Sequence, residues 1–475
     1  MSLHERRPRV EKVCAVLLAA GDGKRMKSEK PKVLCEVLFQ SMITWVADAL
    51  AAAGVENCCA VLGAGHEQVR EVLPSHYSVA MQAERKGTGH AAMMAENYIR
   101  SGGFKDVAVL CGDAPLIAPD DISVAYTQHK TAKNAVTVFT ARMGDPTGYG
   151  RIVRDNSGGV SAIVEQADAD TDTARIDEIN VGAYWFDAEF LLEALKGMSA
   201  SNAQGEYYLT DTVAAALELS RPVGAYTAHP DTALGANDRR SLALLNEIAR
   251  KKVIDLLLDG GVDIPFVDQV VVGPDVKVGA DTTILPGCIL KGETVVGRGC
   301  EIGPNTQLTD AVIGDCCKVI SSFVEASQVE EGASIGPMSN IRSGCLVGPG
   351  VKIGDFVEVK GSNIGAKTSI AHLSYIGDSD IGERCNFGCG VVTVNYDGNK
   401  KHRTTIGDGV FIGCNANLIA PVALGDNAYC AAATTVTKDV PACALVVGRV
   451  RQTVRENWNK NGVKFKKGTA GTNSN

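Results

Sequence analysis

Aromatic side chains are scarce in this 475-residue sequence, at 5 % with only 3 Trp, so bulky core fillers are few. An excess of basic charge is missing as well. The 47 Lys and Arg against 55 Asp and Glu leave a formal net charge of -8, which argues against sequence-independent binding of nucleic acid and leaves room only for local basic pockets. No C-x-x-C pair occurs among the 15 cysteines. They are spread over a chain far longer than a stapled secreted scaffold, and reduced thiols are expected. Met1 to Lys12 carries charges and no apolar h-region, and the longest early apolar run, Val13 to Ala20, falls well short of the ~20 residues that span a bilayer. These absences predict a cytoplasmic protein with neither membrane nor nucleic acid as partner. Glycine, by contrast, is abundant: 51 residues, about 11 % against a usual ~7 %. Many turns with little aromatic bulk suggest a repeat built from tight turns, in a chain long enough for two to four domains.

From Val13 to Ala228 apolar runs alternate with helical patterns: Val13 to Ala20, a periodic stretch around Trp45 to Leu50, Cys58 to Leu62 and Val107 to Cys111. Strands buried on both faces read as continuous apolar runs, so a mostly parallel, Rossmann-like α/β sheet over residues 1–236 is expected, with ligands at the carboxyl ends of its strands. Leu242, Leu245, Ala249, Val253 and Leu256 then recur three or four residues apart between Asn237-Asp238 and Gly260-Gly261. That spacing predicts a linker helix over 237–260.

Residues 261–475 have a different period. Val272, Val278, Ile284, Leu290, Val296, Ile302 and Leu308 fall six apart, and the series resumes through Ile313, Val319, Ile335, Ile341, Val347, Ile353, Val359, Ile364, Ile370, Ile376, Ile406, Ile412, Leu418 and Leu424. A six-residue aliphatic period, often followed by Gly, predicts a parallel β-helix of hexapeptide repeats. With stacked strands about 4.8 Å apart, about nine coils would form a prism roughly 45 Å long. The position two before each aliphatic is small, as at Thr282, Cys288, Thr294, Cys300, Thr306, Cys317, Ser339, Cys345 and Cys385. Residues two apart on a strand face the same way, so these cysteines read as core fillers. The polar stretch from Thr393 to Thr405 breaks the period and predicts a projecting loop. Arg449, Arg451, Arg455, Lys460, Lys464, Lys466 and Lys467 make a basic tail that runs out into Gly, Thr, Asn and Ser, a composition that predicts disorder.

Leu18-Ala19-Ala20-Gly21-Asp-Gly23-Lys-Arg25-Met26 follows the first strand. Its glycines allow backbone N–H groups to approach phosphate, with Arg25 as a cationic fork. It has neither the G-K-[ST] of a P-loop nor the third Gly of a dinucleotide fingerprint, and taken alone it serves a turn as readily as a ligand. Together with Pro31-Lys32-Val-Leu it resembles the signature of sugar-nucleotide pyrophosphorylases. Gln82 to His90 (with Gly87 and Thr88), Cys111-Gly-Asp113, Gly148-Tyr-Gly150, Ile163-Val-Glu165, Glu178-Ile-Asn180 and Gly205 to Asp211 (with Tyr208 and Thr210) resemble the uridylyltransferase branch. With the hexapeptide half, the order of segments from Val13 to Gln452 resembles the bacterial bifunctional N-acetylglucosamine-1-phosphate uridylyltransferase/glucosamine-1-phosphate acetyltransferase family.

The resemblance implies two transfers that make UDP-N-acetylglucosamine for cell-wall precursors, with UTP and acetyl-CoA as co-substrates. By carry-over, Leu18, Ala19, Ala20, Gly21, Lys32, Gln82, Gly87, Thr88, Asp113, Gly150, Glu165, Asn180, Tyr208, Thr210 and Asn237 would bind the nucleotide and the amino sugar. Arg25 and Lys32 would neutralise phosphate charge, and Asp113 and Asn237 would hold Mg²⁺. In the second half His372 would be the general base, Arg342, Lys360, Tyr375 and Asn386 would bind glucosamine-1-phosphate, and Cys389, Asn395, Tyr396, Cys414, Ala432 and Arg449 would contact acetyl-CoA. A homotrimer and left-handed coils are likewise implied.

Plainer readings compete. Asp113 after a strand suits a turn cap and Asn237 before a helix suits an N-cap, while Lys24 and Lys30 suit solvated surface charges. Arg342 and Lys360 could be exposed solenoid charges. Cys111, Cys389 and Cys414 depart from the family pattern, which more often has Tyr, Ala and Ser there, and the latter two would make the CoA site a target for thiol alkylation. A zinc site from Cys385 and Cys389 with His372 or His402 lacks four ligands at a closed spacing. A single-activity nucleotidyltransferase with a structural or regulatory β-helix is the first rival, and a non-catalytic binding subunit the second. His372, Lys360 and Asn395-Tyr396 weigh against the former, and Lys32, Asp113 and Asn237 against the latter.

Overall fold

Every residue of the strand Val13–Ala19 is buried, and alternate side chains enter different cores. Val13, Ala15, Leu17 and Ala19 pack with Ile43, Val46 and Leu50 of the helix Met42–Ala52. Cys14, Val16 and Leu18 pack with Ala91 and Ala92 of Thr88–Met94 and with Phe190 and Leu191 of Ala188–Gly197. The two-residue strand period thus serves two helical layers at once, which is why the sequence shows an unbroken apolar run.

The structure is a computed structural model that describes residues 12–21, 23–63, 67–200, 202, 204–460 and 462. The charged N-terminal segment before Lys12, and Lys464, Lys466, Lys467 and the polar end of the tail, lie outside the described residues. Contacts divide the chain into two units, Met1–Gly299 with Leu308–Asp310, and Cys300–Gln307 with Ala311–Asn475. No helix among the described residues is long and apolar enough to cross a membrane.

In the first unit the strand order is Val223–Thr227, Val136–Arg142, Glu178–Asp187, Asp106–Cys111, Val13–Ala19, Cys58–Gly63, Ser78–Gln82. Neighbours are parallel except around Glu178–Asp187, which runs antiparallel to both neighbours in that order. That reversal brings Asn180, from the start of its strand, to the edge where the parallel strands end. The helix Arg239–Asp259 begins at Asp238, whose carboxylate accepts from the N–H groups of Arg240 and Ser241 in a capping box, and it is capped by Gly260. Leu245 and Ala249 are buried against Met26, Val37 and Met42, whereas Leu256, an expected member of the apolar stripe, is 52 % exposed.

Within the second unit each repeat supplies one short strand to one of three parallel ladders. One runs through Lys318–Val319, Ser334–Ile335, Lys352–Asp355, Ser369–His372, Asn386–Phe387, Phe411–Ile412 and Tyr429–Cys430. A second includes Asn340–Ile341, Glu358–Lys360, Tyr375–Gly377, Val392–Val394 and Asn417–Ile419, and the third Leu346–Val347, Asn363–Ile364, Ser379–Ile381, Thr404–Ile406 and Val422–Leu424. These three stacked parallel sheets are those of the expected β-helix. All the aliphatics of the six-residue series are buried save Val278, and Val324, Val329, Phe387, Cys430 and Val436 join them in register.

The small positions are buried too, and they have polar work. Ser339 and Thr368 donate to the carbonyls of Gly354 (2.5 Å) and Gly382 (2.8 Å), and Cys300, Cys317 and Cys385 do the same toward Gly314, Glu330 and Gly407 at 3.0–3.1 Å. A thiol here both fills space and satisfies a corner carbonyl. Burial pushes the Cys345 and Cys385 thiols up, which keeps them protonated and unreactive.

Successive coils approach so closely that some corners admit no Cβ. On Gly354 it would stand 2.0 Å from the carbonyl oxygen of Ala371. Gly354→Ala is expected to destabilise the second unit by about 1–3 kcal/mol, the usual range for overpacking. The midpoint of its thermal transition, followed by circular dichroism, should fall; an unchanged midpoint would mean that the corner can open.

Candidate active sites

The nucleotide-type motifs converge at the carboxyl edge of the first unit's sheet. The end of Val13–Ala19 and the loop after it are tied to their neighbours: the Leu18 carbonyl accepts from the N–H of Gly112 (2.9 Å), and the Ala20 carbonyl accepts from the Arg85 side chain at Nε (2.7 Å). Lys32 opens a short helical turn whose side chain reaches across the fold. Its ammonium donates to Asp113 Oδ2 at 2.5 Å and to Asn237 Oδ1 at 2.8 Å. Asn237 is therefore not the helix N-cap, a role that Asp238 fills. Asp113 is not merely a turn cap either, although its carbonyl also accepts from Ala236 N–H at 3.3 Å. A carboxylate and an amide oxygen, separated by more than a hundred residues, thus meet at one cation. Arg25 stands exposed in the turn Lys24–Met26, and Lys30 pairs on the surface with Glu36 at 3.2 Å.

Gln82 is buried, with Nε2 donating to the Gly87 carbonyl (3.1 Å) and lying 3.0 Å from His90 Nδ1. Gly87 has φ +100°, and a Cβ there would stand 2.5 Å from the Tyr207 carbonyl oxygen, so only glycine fits. Thr88 Oγ1 accepts from Leu209 N–H (3.1 Å), and Gly89 N–H donates to Tyr207 O (2.8 Å). These bonds join the Gln82–Thr88 loop to the Tyr208–Thr210 segment. Thr210 in turn donates to Glu165 Oε1 (3.2 Å), and Asn180 N–H donates to the Gly150 carbonyl (2.9 Å). Burial pushes the Glu165 carboxyl up, partly offset by the Thr210 bond. The hydroxyl of Tyr208 is buried without a hydrogen-bond partner. An unpaired buried hydroxyl is disfavoured by about 1–3 kcal/mol, so this group is ready for a polar ligand. Cys111 lies beside the same site, donating to Gly182 O (3.5 Å), with its thiol pushed up to about 12, chiefly by burial and then by Asp113.

The second constellation lies on the coils of the second unit. His372 ends its strand and Leu373 follows at φ +48°. The turn breaks the alternation that would otherwise point His372 inward with Ile370, and its side chain is 59 % exposed. His372 Nδ1 lies 3.2 Å from Oδ1 of Asp355, its register partner on the preceding coil. An ionised carboxylate only accepts, so Nδ1 is the donor, and in the neutral ring the lone pair is then on Nε2.

Arg342 and Lys360 occupy corresponding positions on successive coils, each at the end of a β step that is in register. Arg342 pairs with Glu358 (2.9 Å) and Lys360 with Asp378 (3.5 Å). Lys401 joins them from the polar insertion, and the neighbouring Lys360 pushes its ammonium below the usual lysine value. Three cations thus gather around two carboxylate pairs, an arrangement suited to a phosphate. Asn395 is buried and donates to Asp378 Oδ2 (2.6 Å) and to the Tyr375 hydroxyl (3.5 Å), so the base of the insertion is anchored beside Lys360. Tyr396 is 58 % exposed, with its hydroxyl donating to Gly398 O at 2.6 Å. Asn386, Cys389 and Cys414 are also exposed, and Arg449 donates to the carbonyl of Ala432 at 2.5 Å.

Asp355, Glu358, Asp378 and Lys401 escaped the sequence reading. Two of them carried a usable signal: Asp355 and Glu358 lie one coil, 17 residues, before His372 and Tyr375, their register partners. Lys401 had only its place in the insertion.

Comparison with known proteins bears on both units. The Nucleotidyl transferase family matches residues 14–231. The bifunctional protein GlmU of Halalkalibacterium halodurans is 45 % identical over 446 residues, covering 94 % of this chain and 98 % of that protein. GlmU of Caldanaerobacter subterraneus subsp. tengcongensis is 44 % identical over 449 residues, with coverage of 94 % and 98 %. GlmU of Acetivibrio thermocellus is 44 % identical over 452 residues, with coverage of 94 % and 97 %.

Proposed function

The chain belongs to the family of bifunctional GlmU proteins, and from that premise we propose that its two constellations catalyse successive transfers ending in UDP-N-acetylglucosamine. In the first, acetyl passes from acetyl-CoA to the amine of glucosamine-1-phosphate. In the second, uridylyl passes from UTP to N-acetylglucosamine-1-phosphate and pyrophosphate leaves. The observation that carries the bifunctional reading, against a nucleotidyltransferase with an inert β-helix, is the second constellation. A histidine oriented by a carboxylate lies on the same coils as a group of three cations.

For acetyl transfer, Arg342, Lys360 and Lys401 hold the sugar phosphate, with Tyr375 and Asn386 beside it. His372 Nε2 takes the ammonium proton, and Asp355 keeps the ring in the required tautomer. The freed amine attacks the thioester carbonyl; the C–N bond forms, the C–S bond breaks and the CoA thiolate leaves to be protonated. Cys389, Asn395, Tyr396, Cys414, Ala432 and Arg449 contact acetyl-CoA.

For uridylyl transfer, a phosphate oxygen of the sugar attacks the α-phosphorus of UTP, and the developing charge must be met by fixed cations. Lys32 and Arg25 are those cations. Leu18 to Gly21, Gln82, Gly87 and Thr88 hold the nucleotide, while Gly150, Glu165, Asn180, Tyr208 and Thr210 hold the amino sugar, whose polar groups supply the partner that the Tyr208 hydroxyl lacks. Mg²⁺ takes hard oxygen donors and keeps waters and phosphates in its shell, so the one carboxylate and one amide oxygen of Asp113 and Asn237 fit it. When bound it supplies further positive charge to the phosphates. The enzyme works in the cytoplasm as a homotrimer, with residues 1–236, the helix of 237–260 and residues 261–475 as its functional segments.

Two assays on one preparation test this reading. N-acetylglucosamine-1-phosphate should form from acetyl-CoA and glucosamine-1-phosphate, and pyrophosphate should be released from UTP with N-acetylglucosamine-1-phosphate. Silence in the first returns the chain to a single-activity nucleotidyltransferase, and silence in the second removes the uridylyltransferase.

A further inference from the structure

Asp355, His372, Cys389, Cys414 and Ala432 form one column on successive coils. Asp355 pairs with His372, Ile370 with Phe387, and Phe387 with Ile412. The ladder continues around the corner through the backbone. Leu373 N–H donates to Asp355 O (2.9 Å), Gly390 to His372 O (3.4 Å), Asn415 to Cys389 O (2.8 Å) and Ala433 to Cys414 O (2.8 Å). Cys389 and Cys414 are therefore stacked neighbours, and both thiols are exposed. A coil spacing of about 4.8 Å falls inside the Cα separation of roughly 4.4–6.8 Å that a disulfide bridges. The Cys414 sulfur already faces the coil of Cys389, since a Cβ on the adjacent Gly388 would lie 2.9 Å from it. The thiols at the small repeat positions, such as Cys317, Cys345 and Cys385, are buried and donate to carbonyls.

We propose that Cys389 and Cys414 form a redox site, a dithiol that a peroxide oxidises to a disulfide and thereby stops acetyl transfer. The inference rests on the acetyltransferase reading, which puts both residues against acetyl-CoA, Cys389 one coil and Cys414 two coils from the base. In the first step a thiolate of the pair attacks a peroxide oxygen; an S–O bond forms, the O–O bond breaks and hydroxide leaves as water. The other thiolate then attacks the sulfenic sulfur; the S–S bond forms, the S–O bond breaks and a second water leaves. Two electrons pass from the sulfurs to the peroxide, and a dithiol reductant reverses the change. In the disulfide both side chains are drawn along the column, out of the positions from which they face the thioester, directly beside His372.

The test uses the full-length chain, reduced and then exposed to hydrogen peroxide. Peptide mapping without reductant should find Cys389 joined to Cys414 within one chain. Acetyl transfer should fall at least tenfold and return with dithiothreitol, while pyrophosphate release from UTP is retained. C389S and C414S, each compared with its own reduced activity, should lose less than twofold on oxidation. No intrachain link, a link that leaves acetyl transfer intact, or an equal loss in both variants would overturn the proposal. A reduced protein without acetyl transfer would overturn the acetyltransferase reading instead, an outcome that the mapping distinguishes because it does not depend on activity.

Discussion

His372→Ala is expected to lower acetyl transfer by about 10²- to 10⁴-fold, the range typical for loss of a positioned general base, while uridylyl transfer stays within about twofold. The substrate amine is an ammonium at neutral pH and cannot attack until its proton is taken. In this structure His372 has the required geometry: Asp355, 3.2 Å from Nδ1, leaves Nε2 as the basic atom. The side chain is exposed at a coil corner and fills no core, so its removal should not unfold the β-helix. Asp355→Asn is the informative companion. An amide in that place can present either an acceptor or a donor to Nδ1, so the tautomer is no longer enforced, and a smaller loss in kcat is expected. Initial rates of N-acetylglucosamine-1-phosphate formation decide the matter. Full activity in His372→Ala would show that the amine loses its proton to another group.

Lys32→Ala should have the complementary effect, lowering uridylyl transfer by about 10²- to 10³-fold, as when one preorganised electrostatic group is removed from a transition state, with acetyl transfer retained. Lys32 is the point at which Asp113 and Asn237 meet, so its loss removes a cation and also releases the two oxygens it holds. Lys32→Arg should not restore the rate. A planar fork cannot replace a compact ammonium held 2.5 Å and 2.8 Å from two oxygens. Pyrophosphate release from UTP, measured with N-acetylglucosamine-1-phosphate, is the readout, and a rate within threefold of the unsubstituted chain would remove Lys32 from the machinery.

The two halves differ in how much of their function can be read along the chain. In the β-helix the six-residue period identifies the inward residues from Ile284 to Leu424, and the small positions two before them explain Cys288, Cys300, Cys317, Cys345 and Cys385. The same period is silent about which outward residues meet, because that depends on coil length and on insertions. Counting two from the inward Ile370 would also turn His372 inward, whereas Leu373 at φ +48° turns the chain at that point and His372 is exposed. In the α/β unit the motif loops are visible as strand ends, but the antiparallel course of Glu178–Asp187 is not. Asn180 reaches the ligand edge because of that reversal.

The repeat, the buried strands, the connecting helix and the two sets of motifs are legible along the chain, because each is written in local spacing and in residue type. Tertiary structure decided what those motifs can do. It brought Lys32 to Asn237 across 205 positions, set Asp355 behind His372 and Glu358 beside Arg342 one coil away, gathered Lys401 with Lys360, and stacked Cys389 on Cys414. The physical reason is that charge pairing, proton transfer and thiol chemistry act over a few ångströms. Residues far apart in the chain come that close only through the register of strands and coils.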